Sequence, residues 1–227
     1  MKRRCLAACA ASVLASFAVP NVAAPSAAAE PCPDVEVVFA RGSGEAPGVG
    51  GIGQAFTDAL RGEVGGRALT VYAVNYPAST DFGNPDFPST VIDGIRDATS
   101  HIETMTANCP NTKEVLGGYS QGAAVAGYAT SAAVPAGVPA SAVPPPMPPG
   151  IANHVSAVAL FGTPSGQFLE KYHAPALVIG PLYQPKTIQL CAPGDSICGN
   201  GDDPLAHVSY PVNGMTNQAA DFASSHL

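Results

Sequence analysis

The chain has 227 residues, enough for one domain with a sizeable core, and only 12% of them are charged, with a formal net charge of −7. An acidic chain gains nothing from counterion release on a polyanion, so nucleic acid is excluded as an expected partner, as is strong attraction to an anionic membrane surface. The 24 Gly and 23 Pro, with 46% hydrophobic residues, suit a loop-rich extracellular domain rather than a disordered chain.

Residues 1–29 read as a secretory signal. Lys2, Arg3 and Arg4 form a basic start, Cys5 to Val19 an apolar stretch, and Ala27-Ala28-Ala29 an A-x-A cleavage site. The apolar run is too short and too alanine-rich for a membrane span, so no integral membrane segment is expected. Leu6-Ala7-Ala8-Cys9 resembles a lipoprotein box, but it follows the basic residues directly and belongs to the apolar stretch. Cleavage removes three basic residues and no carboxylate, which makes the exported chain more acidic still. It also removes Cys5 and Cys9 and leaves Cys32, Cys109, Cys191 and Cys198. Four cysteines in an exported chain imply two disulfides with three possible pairings. Cys191 and Cys198 flank a Pro-Gly-Asp turn, which suits a local bridge and leaves Cys32 for Cys109. A metal site is disfavoured, because there is no C-x-x-C pair and the histidines are scattered.

Residues 30–227 read as one domain. Val35 to Ala40 is a short β-rich run, consistent with a buried strand. The glycine-rich stretch from Arg41 to Gly53 carries neither a dinucleotide fingerprint nor a Walker lysine, and no cofactor is expected. Gln54 to Val64 has helical spacing, Leu69 to Val74 is a second strand, and Asp81 to Pro88 is a loop. Val91 to Ala107 is an amphipathic helix. Val115-Leu116 leads into Gly118-Tyr119-Ser120-Gln121-Gly122, and Ala123 to Ala133 is helix-forming. Val134 to Pro149 holds seven prolines, which no helix interior or central strand accepts, and reads as an exposed insertion with polyproline character. Val155 to Phe161 and Thr187 to Leu190 are two further strands. Thr216 to Leu227 is a terminal helix with Thr216 as its expected N-cap. Strands alternating with helices predict a parallel five-stranded sheet covered on both faces, with active groups at the carboxyl ends of the strands.

The G-x-S-x-G pentapeptide between a strand and a helix predicts a sharp turn that projects the Ser120 hydroxyl out of the sheet. Side chains at Gly118 and Gly122 would collide with the neighbouring helix and strand. A serine hydroxyl needs a base, and the base needs a carboxylate. The hydrolase order is serine, acid, histidine. Asp195, at the turn between Cys191 and Cys198, supplies the acid on a clamped loop. Asp202 and Asp203, set among Gly and Asn, read as solvated turn residues. His207 is the histidine between that loop and the last helix. His101, His154, His173 and His226 lie in the wrong order or setting. The backbone N–H of Gln121, at a helix N-terminus, and Ser43, after the first strand, are the expected oxyanion donors.

Four blocks together resemble the cutinase family, nearest in pattern to the mycobacterial cutinase-like proteins. They are Ala40-Arg41-Gly42-Ser43-Gly44-Glu45, Gly118-Tyr119-Ser120-Gln121-Gly122, Cys191 to Cys198, and Ala206-His207-Val208-Ser209-Tyr210. The resemblance implies a lidless α/β-hydrolase with five central strands. It implies Ser120 as nucleophile, Asp195 and His207 as its partners, and Ser43 with Gln121 as the oxyanion hole. It also implies disulfides Cys32–Cys109 and Cys191–Cys198. The expected function is a secreted, monomeric serine esterase acting on fatty-acyl or lipid-like esters. An acetyl esterase on polysaccharide or a phospholipase A would share the same triad, and a non-catalytic surface binding protein is the reading from another class. The departure from the family is the proline-rich insertion.

Overall fold

The computed structural model describes residues 31–227, so the leader and Cys5 and Cys9 lie outside the described residues. Five strands, β1 (Val35–Ala40), β2 (Leu69–Ala73), β3 (Lys113–Tyr119), β4 (Val155–Phe161) and β5 (Thr187–Leu190), form one sheet in the order β2-β1-β3-β4-β5, and every pairing is parallel. The central strands are apolar runs buried on both faces, as a sheet covered by helices requires, while the edge strands β2 and β5 are short and half-exposed. Helices α1 (Gly50–Glu63) and α5 (Met215–Ser224) cover one face over Val37, Phe39, Val115 and Phe161. Helices α2 (Phe87–Asn108) and α3 (Gln121–Ala129) cover the other over Val38, Leu116, Val158 and Leu160. The expected parallel sheet, flanked on both faces, is thus the one observed. Its order places a topological switch between β1 and β3, where chains of this class leave a crevice at the carboxyl ends of the strands.

The helix boundaries depart from expectation for identifiable reasons. α1 begins four residues early, at Gly50, because Glu45 reaches across and accepts the Gly51 N–H at 2.8 Å, putting a carboxylate at the helix N-terminus. α2 begins at Phe87 rather than Val91, with Pro88 in its first turn, where the missing N–H costs nothing. α3 stops at Ala129 instead of Ala133, since the Thr130 hydroxyl bonds back to the Ala126 and Gly127 carbonyls and the Thr130 carbonyl accepts from Gly180. Thr216 is not the cap of α5. It is buried in the first turn, Gly214 at φ 83° precedes the helix, and the Asn213 side chain accepts the Met215 N–H at 3.1 Å. A six-residue helix, α4 (Gly166–Lys171), is absent from the sequence reading. It is too short to show a period, and its signal is the Ser165 hydroxyl accepting from the Phe168 N–H.

Both disulfides are present, Cys32–Cys109 closing a separation of 77 residues and Cys191–Cys198 one of 7. Among the described residues no helix is long and apolar enough to cross a membrane. Cys191, Asp195 and Cys198 bring three ligand-type atoms together, but the two sulfurs are bonded to each other and offer no thiolate pair.

Candidate active site

Ser120 stands between β3 and α3 with φ 55° and ψ −117°, a left-handed conformation costly for a non-glycine residue. Its neighbours make that turn possible. A Cβ on Gly118 would lie 2.1 Å from the Gly122 carbonyl oxygen, and one on Gly122 would lie 2.0 Å from that of Ala40. The two glycines are therefore required by backbone contact, and the second presses the start of α3 against the end of β1. Ser120 is held to β4 by its N–H, which donates to the Phe161 carbonyl at 2.9 Å.

The three residues expected to act together meet here. The His207 ring lies with Nε2 2.9 Å from the Ser120 hydroxyl and Nδ1 2.8 Å from the Asp195 carboxylate. Asp195 is 1% exposed. Burial pushes its carboxyl up, but hydrogen bonds from Tyr210 (2.7 Å), His207 and the Ile197 N–H (2.8 Å) outweigh burial and hold it below the usual carboxylate range. Asp202 and Asp203 are exposed, and Asp203 accepts the Leu205 N–H as a turn residue does. His101 is bound instead to Glu36 at 2.8 Å and stacked on Tyr72, and His226 sits on α5's exposed end.

The expected oxyanion donors face the same crevice. Gln121 is the first residue of α3, so its N–H lacks an intrahelical acceptor, and its side-chain amide donates to Ser79 at 3.3 Å. The Ser43 hydroxyl is buried with no hydrogen-bond partner among the described residues, and Ser43, Ser120, Gln121 and His207 line one cavity.

Four supporting residues stand in motif blocks the sequence singles out, yet their roles are not readable there. Tyr210, fully buried, accepts from the Ala192 N–H at 3.2 Å while donating to Asp195, and burial together with that carboxylate pushes its phenol up. Tyr119 donates to the His207 carbonyl at 2.7 Å. Arg41, buried in the first loop, donates to the Tyr76 carbonyl at 2.7 Å and the Glu45 carbonyl at 2.9 Å. Glu45 accepts the Gly42 N–H at 2.6 Å. Arg41 and Glu45 together fix the loop that carries Ser43.

The cavity measures about 780 Å³, in the range of small-molecule sites. Its walls include the proline-rich insertion, which is irregular and mostly exposed as expected but turns one side to the cavity. Val134, Val138 and Val143 line the cavity half-buried, and Met147 is buried in the core beneath.

The cutinase family profile matches residues 31–227. The chain belongs to the cutinase family. It is 67% identical over 165 residues to the probable carboxylesterase Culp7 of Mycobacterium tuberculosis, covering 73% of this chain and 88% of that protein. It is 43% identical over 219 residues to the phospholipase Culp4 of the same species, covering 95% and 90%. A solved Trichoderma reesei cutinase in complex with a C11Y4 phosphonate inhibitor superposes with a TM-score of 0.62 at 32% identity, covering 86% of this chain and 77% of that one. Every block of the cutinase resemblance described above falls inside the matched region, and so does the insertion.

Proposed function

We propose that this cutinase-family chain is a secreted serine esterase that cleaves carboxylic esters through an acyl-enzyme, with Ser120 as nucleophile, His207 as base and Asp195 as its orienting carboxylate. One observation carries the reading: a single imidazole bridges the Ser120 hydroxyl and the buried Asp195 carboxylate at 2.9 and 2.8 Å. In the first half-reaction His207 Nε2 takes the Ser120 proton as Oγ bonds to the ester carbon. The imidazolium forms against Asp195, which stabilises its charge. The carbon–oxygen bond to the alcohol then breaks, and His207 returns the proton to the departing oxygen. Water repeats the sequence to release the acid. The oxyanion formed in each half is served by the Gln121 N–H and by Ser43, whose unpartnered hydroxyl suits a donor that is engaged only when charge develops.

The relatives' names support a carboxylic ester as substrate. The cavity favours a fatty-acyl ester over an acetylated polysaccharide, because the described residues that line it are mostly apolar and include no Asp, Glu, Lys or Arg. The Ser120→Ala variant is expected to lose p-nitrophenyl butyrate hydrolysis by about four orders of magnitude or more while keeping its fold by circular dichroism. Retained hydrolysis would refute the assignment. Export by the leader predicts a mature chain that starts at Glu30 on terminal sequencing, whereas a lipid-modified Cys9 would contradict it.

A further inference from the structure

The loop that carries Ser43 is braced from within by Glu45 and from outside by a segment that belongs to none of the motif blocks. Tyr76, Pro77, Ala78 and Ser79 follow β2, and each of their four carbonyls accepts from the Ser43 loop or from Gln121. Arg41 Nη2 donates to Tyr76 at 2.7 Å and to Pro77 at 3.3 Å. The Gly44 N–H donates to Ala78 at 2.8 Å, and the Gln121 side-chain amide donates to Ser79 at 3.3 Å. The Tyr76 phenol closes the set by donating to the Arg41 carbonyl. Successive carbonyls of an extended strand point to opposite sides, so four in a row serve neighbouring donors only if the chain turns. The turn is at Ala78, which is buried with φ 49°. That left-handed conformation is costly for alanine and persists where its surroundings impose it. Thr80, next along, lines the cavity and packs on Gly44, where a Cβ would lie 2.9 Å from the threonine methyl. Arg41 is 5% exposed, and among the described residues no carboxylate forms a salt bridge with it. Burying a cation without a counter-ion costs stability, and such departures collect at functional sites.

We propose that the segment from Tyr76 to Thr80 is a template for the oxyanion hole, and that Arg41 is the positioning residue that draws it into place. This rests on the esterase reading and adds residues to its machinery. The two donors assigned to the oxyanion come from different elements, Ser43 from the loop after β1 and Gln121 from the start of α3. The template is bonded to both, through Gly44 beside Ser43 and through the Gln121 side chain. It therefore sets their separation without touching the reacting atoms. Donors fixed in advance need no reorganisation when charge develops, and a displacement of about 1 Å can cost about a hundredfold in rate. Arginine suits the task because its planar fork holds the Glu45 carbonyl through Nε while Nη2 spans two carbonyls of the template. A lysine ammonium carries the same charge but no such fork.

The test compares the mature wild type with Arg41→Lys and with Tyr76→Phe, which removes one hydroxyl and keeps the ring. The second variant keeps the test available if the first fails to fold. On p-nitrophenyl butyrate, kcat is expected to fall about thirtyfold in Arg41→Lys and about fivefold in Tyr76→Phe, with KM nearly unchanged. The affinity for n-butylboronic acid, which adds to Ser120 as a tetrahedral anion, is expected to fall by the same factor as kcat/KM. In a Ser43→Ala background each substitution is expected to cost clearly less, about threefold at most, because one of the donors it positions is gone. Full kcat in both variants would overturn the proposal. So would losses that multiply in full with Ser43→Ala, or a boronic acid affinity that holds while kcat falls, since either marks a merely structural role. A wild type that turns over no ester would overturn the esterase reading and the template with it. An active wild type with unaffected variants would overturn the template alone.

Discussion

In the proposed mechanism the chemistry leans on one hydroxyl behind the reacting atoms, that of Tyr210. It donates to the Asp195 oxygen that also faces His207, so it helps keep the carboxylate ionised despite complete burial. A hydrogen bond to a charged group is worth about 1.5–3 kcal/mol. Tyr210→Phe is therefore expected to lower kcat on the order of tenfold with KM nearly unchanged, measured with p-nitrophenyl butyrate. An unchanged kcat would mean that His207 and the Ile197 N–H suffice. At this scale the sequence is legible for groups whose chemistry is distinctive. A serine between glycines, an acid in a cystine loop and a histidine after it identify themselves by type and order. Tyr210, Arg41 and Glu45 do not, because each works by reaching a partner set by the fold: Asp195 for Tyr210, the Tyr76 carbonyl for Arg41, and the Gly42 and Gly51 amides for Glu45.

The two cystines hold elements of different consequence. Cys191–Cys198 closes the loop that carries Asp195, whereas Cys32–Cys109 ties the start of the domain to the end of α2, far along the chain from the site. By loop length the first stabilises by about 2.5 kcal/mol and the second by about 4.5. Replacing Cys32 and Cys109 by alanine is thus expected to cost more stability in urea denaturation while leaving kcat unchanged in the folded protein. Replacing Cys191 and Cys198 is expected to cost less stability but to reduce kcat. The opposite ranking of the activity losses would show that the Asp195 loop needs no clamp. Element boundaries were the least legible feature of the chain, and for a common reason. Glu45, Thr130 and Asn213 each terminate a helix with a side chain, and only the backbone geometry decides which carboxylate, hydroxyl or amide is in reach. The proline-rich segment is irregular as its composition requires, but nothing in that composition says which face of the fold it covers.

Across the whole molecule the sheet separates two populations of polar groups. One is the proposed catalytic set at the carboxyl ends. The other surrounds Glu114, on β3 near the amino ends, where it neighbours Glu36 in register. Glu114 is 1% exposed, and burial, with the like charge of Glu36, pushes its carboxyl up to about 8. The groups around it are Glu36, itself paired with His101, and the Tyr183 phenol, which has no hydrogen-bond partner among the described residues. The folded chain keeps the Glu114 proton over a range where the unfolded chain has lost it. Its contribution to stability is therefore complete below about pH 4.5 and falls as pH rises to about 8, by at most about 1.4 kcal/mol per pH unit. Glu114→Gln is expected to remove that decline, so its Tm should gain on the wild type between about pH 5 and 8.5. Parallel curves would place the alkaline sensitivity elsewhere. The alternation of strands and helices made the parallel architecture legible. The strand order, and with it the switch between β1 and β3 that brings Ser43 to Ser120, follows from packing that no local period encodes.

The central claim, that Ser120 is activated by His207 and Asp195, is tested most directly by stoichiometric labelling with an alkyl p-nitrophenyl phosphonate followed by peptide mass mapping. The account predicts one adduct per chain, on the peptide carrying Ser120, formed in step with loss of esterase activity and strongly slowed in His207→Ala. An adduct on another residue, or full activity after Ser120 is labelled, would contradict it.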